Sequence, residues 1–125
     1  MKDEILKFKT AKLAKAKGFS CAFGNNYYNK KGELSFCQTY SYSWHNLGEK
    51  NYLPANTQSL LQKWLREKHN IHVETKLANQ QNKRSYFYNV NKWDKHRSSL
   101  LSTSKRFNSY EDALEEGLLE ALKTL

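Results

Sequence analysis

The chain has 125 residues, room for one domain and one modest core. With 38% hydrophobic and 26% charged residues it is expected to fold, which excludes a disordered tail, and no apolar run reaches the length of a membrane span. The net charge of +9 is unevenly held: residues 1–110 carry 20 Lys and Arg against 7 Asp and Glu, whereas residues 111–125 carry one Lys against 5 acids. Such a field attracts polyanions, or an acidic or RNA-bearing protein.

The first stretch, MKDEILKFKTAKLAKAKGF, lacks the continuous apolar segment of a secretory signal, so a cytoplasmic location is expected. Residues 4–17 are predicted to be helical, with Gly18 closing the helix in a left-handed conformation. Phe8, Ala11 and Ala14 share one face, while Lys7, Lys12, Lys15 and Lys17 spread around the rest. Residues 19–28 and 34–44 read as two strands around the turn Asn29-Lys30-Lys31-Gly32, in which Asn opens the turn and Gly accepts a positive φ.

The second of these strands, LSFCQTYSYSW, alternates large and small residues. Its pleat puts Leu34, Phe36, Gln38, Tyr40, Tyr42 and Trp44 on one face. Leu34 and Phe36 are expected in the core; Tyr42 and Trp44, further along, are expected to face a partner. Cys21 and Cys37 fall on neighbouring strands but out of register for a bridge, which predicts two free thiols.

Residues 45–56 read as a loop ending near the single proline. A second helix follows from about Thr57 to His69, with Leu60, Leu61, Trp64 and Leu65 on its apolar arc and Asn70 as its stop. IHVETKLA then alternates as a strand with Ile71, Val73, Thr75 and Leu77 on one face. NQQNKR is expected to turn the chain into a further strand over 85–93. Residues 94–108 lack a period and read mostly as a basic, Ser-rich loop, in which Leu100 and Leu101 mark an anchor or short extra strand. Ser109 caps a last helix, with Asp112 three positions on, and Tyr110, Ala113, Leu114, Gly117, Leu118, Ala121 and Leu122 form its apolar face. Its acids are expected on a solvated side.

The predicted order α-β-β-α-β-β-α is an α+β fold, a single domain with a four-stranded, mostly antiparallel sheet and helices on one face. Its second helix makes the flanking strands parallel if they are neighbours. The hairpin tips Lys30-Lys31 and Lys83-Arg84 are then expected at opposite ends of that sheet.

Chemistry is thinly represented. His69 and His72 bridge a helix end and a strand start, and neither Cys has a partner at metal-ligand spacing, so no metal or other cofactor is expected. Asp94, Lys95 and His96 in WDKHR have no second anchored group beside them, and no catalytic residue is assigned. The stronger pattern is cationic side chains interleaved with aromatics. Basic residues cluster at Lys30-Lys31, Lys83-Arg84, Lys92, Lys95 and Arg97, and Lys105-Arg106, interleaved with Trp93 and Phe107. With Tyr42, Trp44 and Trp93 they form the candidate surface for a partner protein or nucleic acid.

Three segments, FKTAKLAKAKGF (8–19), PANTQSLLQKWLREKHNIHVE (54–74) and FNSYEDALEEGLLEALKTL (107–125), give the chain a resemblance. It resembles a family of short uncharacterised proteins of phages and mobile elements of Bacteroidota. The resemblance covers roughly half the chain, with YYNKKGEL fitting in outline. It departs from the usual pattern at Lys9 and Thr10 and leaves 94–106 without a counterpart. No catalytic or ligand residue comes with it. What it implies is a small protein of phage or prophage origin, and the function expected in that context is to inhibit or modulate a host defence complex. The expected target is a host protein or ribonucleoprotein such as the RNA-guided RNA nuclease of a type VI CRISPR system, bound through its protein or its RNA. The alternative is a direct RNA- or DNA-binding protein.

Overall fold

The computed structural model describes residues 5–19, 26–28, 31–36, 53–54, 56–80, 83–95 and 97–125. The chain is α+β. Its elements run α1 (Phe8–Ala16), β1 (Asn26–Tyr28), β2 (Leu34–Phe36), β3 (Leu53–Pro54), α2 (Gln58–His69), β4 (Ile71–Gln80), β5 (Lys83–Trp93), β6 (Ser98–Thr103) and α3 (Tyr110–Lys123).

The described strands form two three-stranded sheets, ordered β2-β1-β3 and β4-β5-β6, rather than one sheet of four. The extra strands come from a segment expected as a loop, Leu53–Pro54, and from Ser98–Thr103, where a short strand at Leu100 and Leu101 is one of the two expectations. Leu53–Pro54 pairs with β1, and as an edge strand it tolerates a proline that cannot donate to the ladder. Ser98–Thr103 pairs with β5 across a bulge at Val90/Asn91, which breaks the period-2 pattern and hides the strand. Ser104 and Phe107 then extend the contact along β5 through backbone bonds to Tyr88 and Tyr86. The strands flanking α2 lie in different sheets, and every described pairing is antiparallel.

Helix boundaries follow local chemistry. Thr57 caps α2 by accepting the Leu60 N–H, and Asn70 ends it in the left-handed region at φ 55°. Ser109 Oγ accepts from Asp112 N at the start of α3. Gly18, at φ 100°, follows α1, and Gly32, at φ 84°, turns the β1–β2 hairpin.

The core gathers Leu6, Ala11 and Ala14 near α1, Leu61 and Leu65 of α2, Ile71 and Val73 of β4, and Tyr88 and Val90 of β5 around Leu114, Leu118 and Leu122 of α3. Leu34 departs from its expected place: it is 51% exposed. Leu60 and Leu77 are also exposed. The side chain of Phe36, the two cysteines, Tyr42 and Trp44 lie outside the described residues.

The largest departure is Glu115. Expected on a solvated face, it is buried. One carboxylate oxygen accepts from Gln58 Nε2 at 3.0 Å and the other from the Lys7 backbone N–H, just ahead of α1, at 3.1 Å. Beside them Tyr28 donates to the Leu6 carbonyl. Burial, and then the charge of Glu115, push the Tyr28 phenol above its ordinary 10.0; burial also raises Tyr88.

Three outcomes follow from this packing. Glu115→Ala strands two donors and lowers stability by about 2–4 kcal/mol, whereas Glu115→Gln keeps an acceptor and loses less, as urea melts will register. Gly117→Ala improves helix propensity by about 1 kcal/mol, yet its methyl would lie 2.7 Å from Val73 Cγ1 and 3.0 Å from Tyr88 Cβ. That Tyr88 atom is fixed to the strand backbone, so the net result is a loss of about 1–2 kcal/mol. Finally, folded Tyr28 holds a proton that the unfolded chain releases near pH 10, so its contribution is complete below that pH and falls above it. The melting-temperature gap between wild type and Tyr28→Phe therefore narrows as pH climbs past 10.

Candidate nucleic-acid interface

Helix α3 packs against β4 and β5, and the register shows which side chains it covers. Ile71, Val73 and Thr75 of β4 lie opposite Lys92, Val90 and Tyr88 of β5, on the helix side. Alternation therefore sends His72, Glu74 and Lys76, with Phe87, Asn89, Asn91 and Trp93, to the other face, where no described helix lies. The edge-on contact of the His72 and Trp93 rings, with centroids 5.9 Å apart, fixes Trp93 to this open face. Trp93 is 50% exposed.

The β5–β6 turn is tight. Asp94 N donates to the Arg97 carbonyl at 2.9 Å, and Asp94 Oδ1 accepts from Lys95 N at 2.7 Å. It holds exposed Lys95 and Arg97 beside Trp93, with exposed Lys92 on the helix side of the same strand end. One aromatic ring and three cations thus gather at one hairpin tip. None of those cations enters an ion pair among the described residues.

A second basic cluster sits at the far end of β5. Arg84 lies one step from the strand start, and the bridge between Tyr86 and Phe107 brings Lys105 and Arg106 alongside. All three are exposed. Lys83 opens the strand. Nine residue steps separate Arg84 from Trp93, about 30 Å along the strand. The chain thus presents two cationic ends joined by an open sheet face.

The other candidates are dispersed. Lys31 is exposed in the β1–β2 turn, in the other sheet, so the two predicted hairpin tips do not share a sheet. Lys30, Tyr42 and Trp44 lie outside the described residues. Sequence reasoning does not single out His72 as a site residue; its signal is the alternation that opposes it to Ile71 and Val73. Leu100 and Leu101, legible in the sequence as an anchor or a short extra strand, are exposed on β6.

A groove of about 480 Å³ between α1 and α3 is floored by Phe8, Leu13 and Leu119 and flanked by Lys9, Lys12 and Lys123. It brings no carboxylate beside a base. Among the described residues, no three His, Cys, Asp or Glu side chains converge, and no helix is long and apolar enough to cross a membrane. No protein-family model, curated protein or solved structure matches the chain.

Proposed function

We propose that the chain is a non-enzymatic, cytoplasmic binding protein that grips single-stranded RNA, with the β5–β6 hairpin as its principal contact. The observation that carries this reading is the placement of half-exposed Trp93 beside Lys92, Lys95 and Arg97 at one tip. A base stacks on an indole whatever its identity, and the flanking cations meet the phosphates. The second cluster at Arg84, Lys105 and Arg106 extends the track along the strand. Asn89 and Asn91, between the clusters, supply hydrogen-bonding groups to the open face.

The resemblance to phage and mobile-element proteins supports a more specific setting. There the RNA belongs to a host defence ribonucleoprotein, such as an RNA-guided CRISPR nuclease, and occupying it inhibits the complex. This part of the reading rests on the resemblance, and the RNA contact rests on the geometry.

Fluorescence anisotropy with a labelled single-stranded RNA tests the contact. Wild-type affinity falls linearly in log–log form as salt rises, and Lys95→Ala with Arg97→Ala flattens that slope by about 0.7 for each phosphate the protein no longer neutralises. Trp93→Ala weakens binding by about 1–3 kcal/mol, roughly 5- to 150-fold, while the melting temperature stays close to wild type. Absence of binding at low salt rejects the proposal. The host setting is checked separately, by nuclease activity with and without the protein.

A further inference from the structure

The open sheet face carries two asparagines whose amides are in different states. Asn89 and Asn91 flank Val90, which is buried on the helix side, so both stand on the face away from the helices. Thr103 of β6 lies directly across from Asn89, and its hydroxyl donates to Asn89 Oδ1 at 2.8 Å. Among the described residues Asn89 Nδ2 has no partner, and neither end of the Asn91 amide has one. The face therefore offers a donor and an acceptor at Asn91 and, about 7 Å back along the strand, a donor at Asn89.

Asn91 is also framed by uncovered apolar surface. The register sets it between His72 of β4 and Leu100 of β6, with Trp93 next on the same face of β5. Leu100 is 59% exposed and Trp93 50%, while Asn91 beside them is half-buried. An unpartnered amide among exposed apolar groups suits a flat ring with apolar faces and a polar edge, which is the chemistry of a nucleobase.

We infer that this face reads base identity, taking a pyrimidine at Asn89 and Asn91 and refusing purines. The inference rests on the RNA contact proposed above and adds what stacking on Trp93 lacks, since every base has a π-face. The Watson–Crick edges of uracil and cytosine each carry two acceptors and one donor. With either base, the Asn91 amide meets the donor and an adjacent acceptor, and Asn89 Nδ2 meets the second acceptor. Guanine reverses the count, so one of its donors faces the Asn89 donor. Adenine satisfies Asn91 through N6 and N1 but sets its C2–H against Asn89, leaving that donor unpaired. Thr103 is the positioning residue, because it occupies the Asn89 oxygen and leaves only the donor for the base. Freed of that bond, Asn89 presents either end, and guanine is no longer refused.

Anisotropy with short labelled RNAs of equal length (oligo-U, oligo-C, oligo-A and alternating GA) decides the matter. The full chain is expected to bind the two pyrimidine strands about tenfold more tightly than the two purine strands. Asn89→Ala weakens the pyrimidine strands to the level of oligo-A, which it leaves unchanged. Thr103→Val narrows the gap between oligo-U and alternating GA several-fold. Both variants keep the melting temperature and the salt slope, which a merely structural loss would move, and comparing ratios between proteins cancels the strands' own stacking. Equal binding of all four strands, or a purine preference, overturns base reading while the RNA contact stands. A pyrimidine preference that either variant leaves intact overturns it as well. Absence of binding to every strand at low salt rejects the RNA contact itself, and the base reading with it.

Discussion

A buried carboxylate must be answered by hydrogen bonds, and the answer given to Glu115 organises this molecule. Its two oxygens take a side-chain donor from the first turn of α2 and a backbone donor just ahead of α1. The charge lies where two helix N-termini meet the flank of a third, so helix dipoles and hydrogen bonds act on it together. Because the acceptor is shared, neither α1 nor α2 can shift along α3 without stranding a donor. The chain ahead of α1 is further tied by the Tyr28 hydroxyl on Leu6 and by Leu6 N donating to Asn56 O at 2.8 Å. Apolar burial supplies the bulk of the driving force; this polar junction sets the register of the helices it draws upon.

The packing of the helices leaves one sheet face open. Helix α3 has buried residues on several sides, including Ala113, Leu114, Leu118, Leu119 and Leu122, because it is enclosed by the sheet together with α1 and α2. Gly117 lets the helix backbone approach Val73 and Tyr88. The described helices gather on one side of β4-β5-β6, and antiparallel sheets can leave the other side to solvent. Trp93, Leu100 and Leu101 remain exposed on that face and its edge because no described helix is left to cover them. The apolar exposure therefore follows from the topology.

How much is readable beforehand depends on whether the signal is local. The helix start near Thr57, the cap at Ser109, the stop at Asn70 and the alternation of Ile71 and Val73 are properties of a few neighbouring residues, and each has a counterpart in the structure. Sheet membership is not local: Leu34 alternates correctly with its neighbours, yet only the tertiary arrangement decides whether its face meets a core. The β6 strand is obscured for a different reason. A bulge at two adjacent leucines, with serines on both faces, removes the periodicity from which a strand is read. Glu115 misleads because an acid among acids on a helix looks solvated, and its partners lie 57 and 108 residues away. Of the candidate surface, the basic and aromatic residue types are legible, whereas the joining of Trp93 to Lys95 and Arg97 depends on a turn hidden in an aperiodic stretch.

The same arrangement explains how the charge is deployed. The acids of α3 are engaged close to home: Glu115 within the helix junction, Asp112 at 4.0 Å from Lys7, and Glu120 at 3.2 Å from Lys123. Exposed pairs of this kind contribute little stability, but they neutralise cations on the helix side. At the tips of β5 the one described acid, Asp94, accepts from the Lys95 backbone N–H, and Lys95, Arg97, Lys105 and Arg106 enter no ion pair among the described residues. A net charge spread uniformly would give a weak, featureless field. Here several acids lie around α3, Glu74 is paired with Lys76 on the open sheet face, and exposed cations gather at both ends of one long strand. A polyanion approaching this protein therefore meets its strongest attraction beside the open sheet face, where a half-exposed indole is already in place.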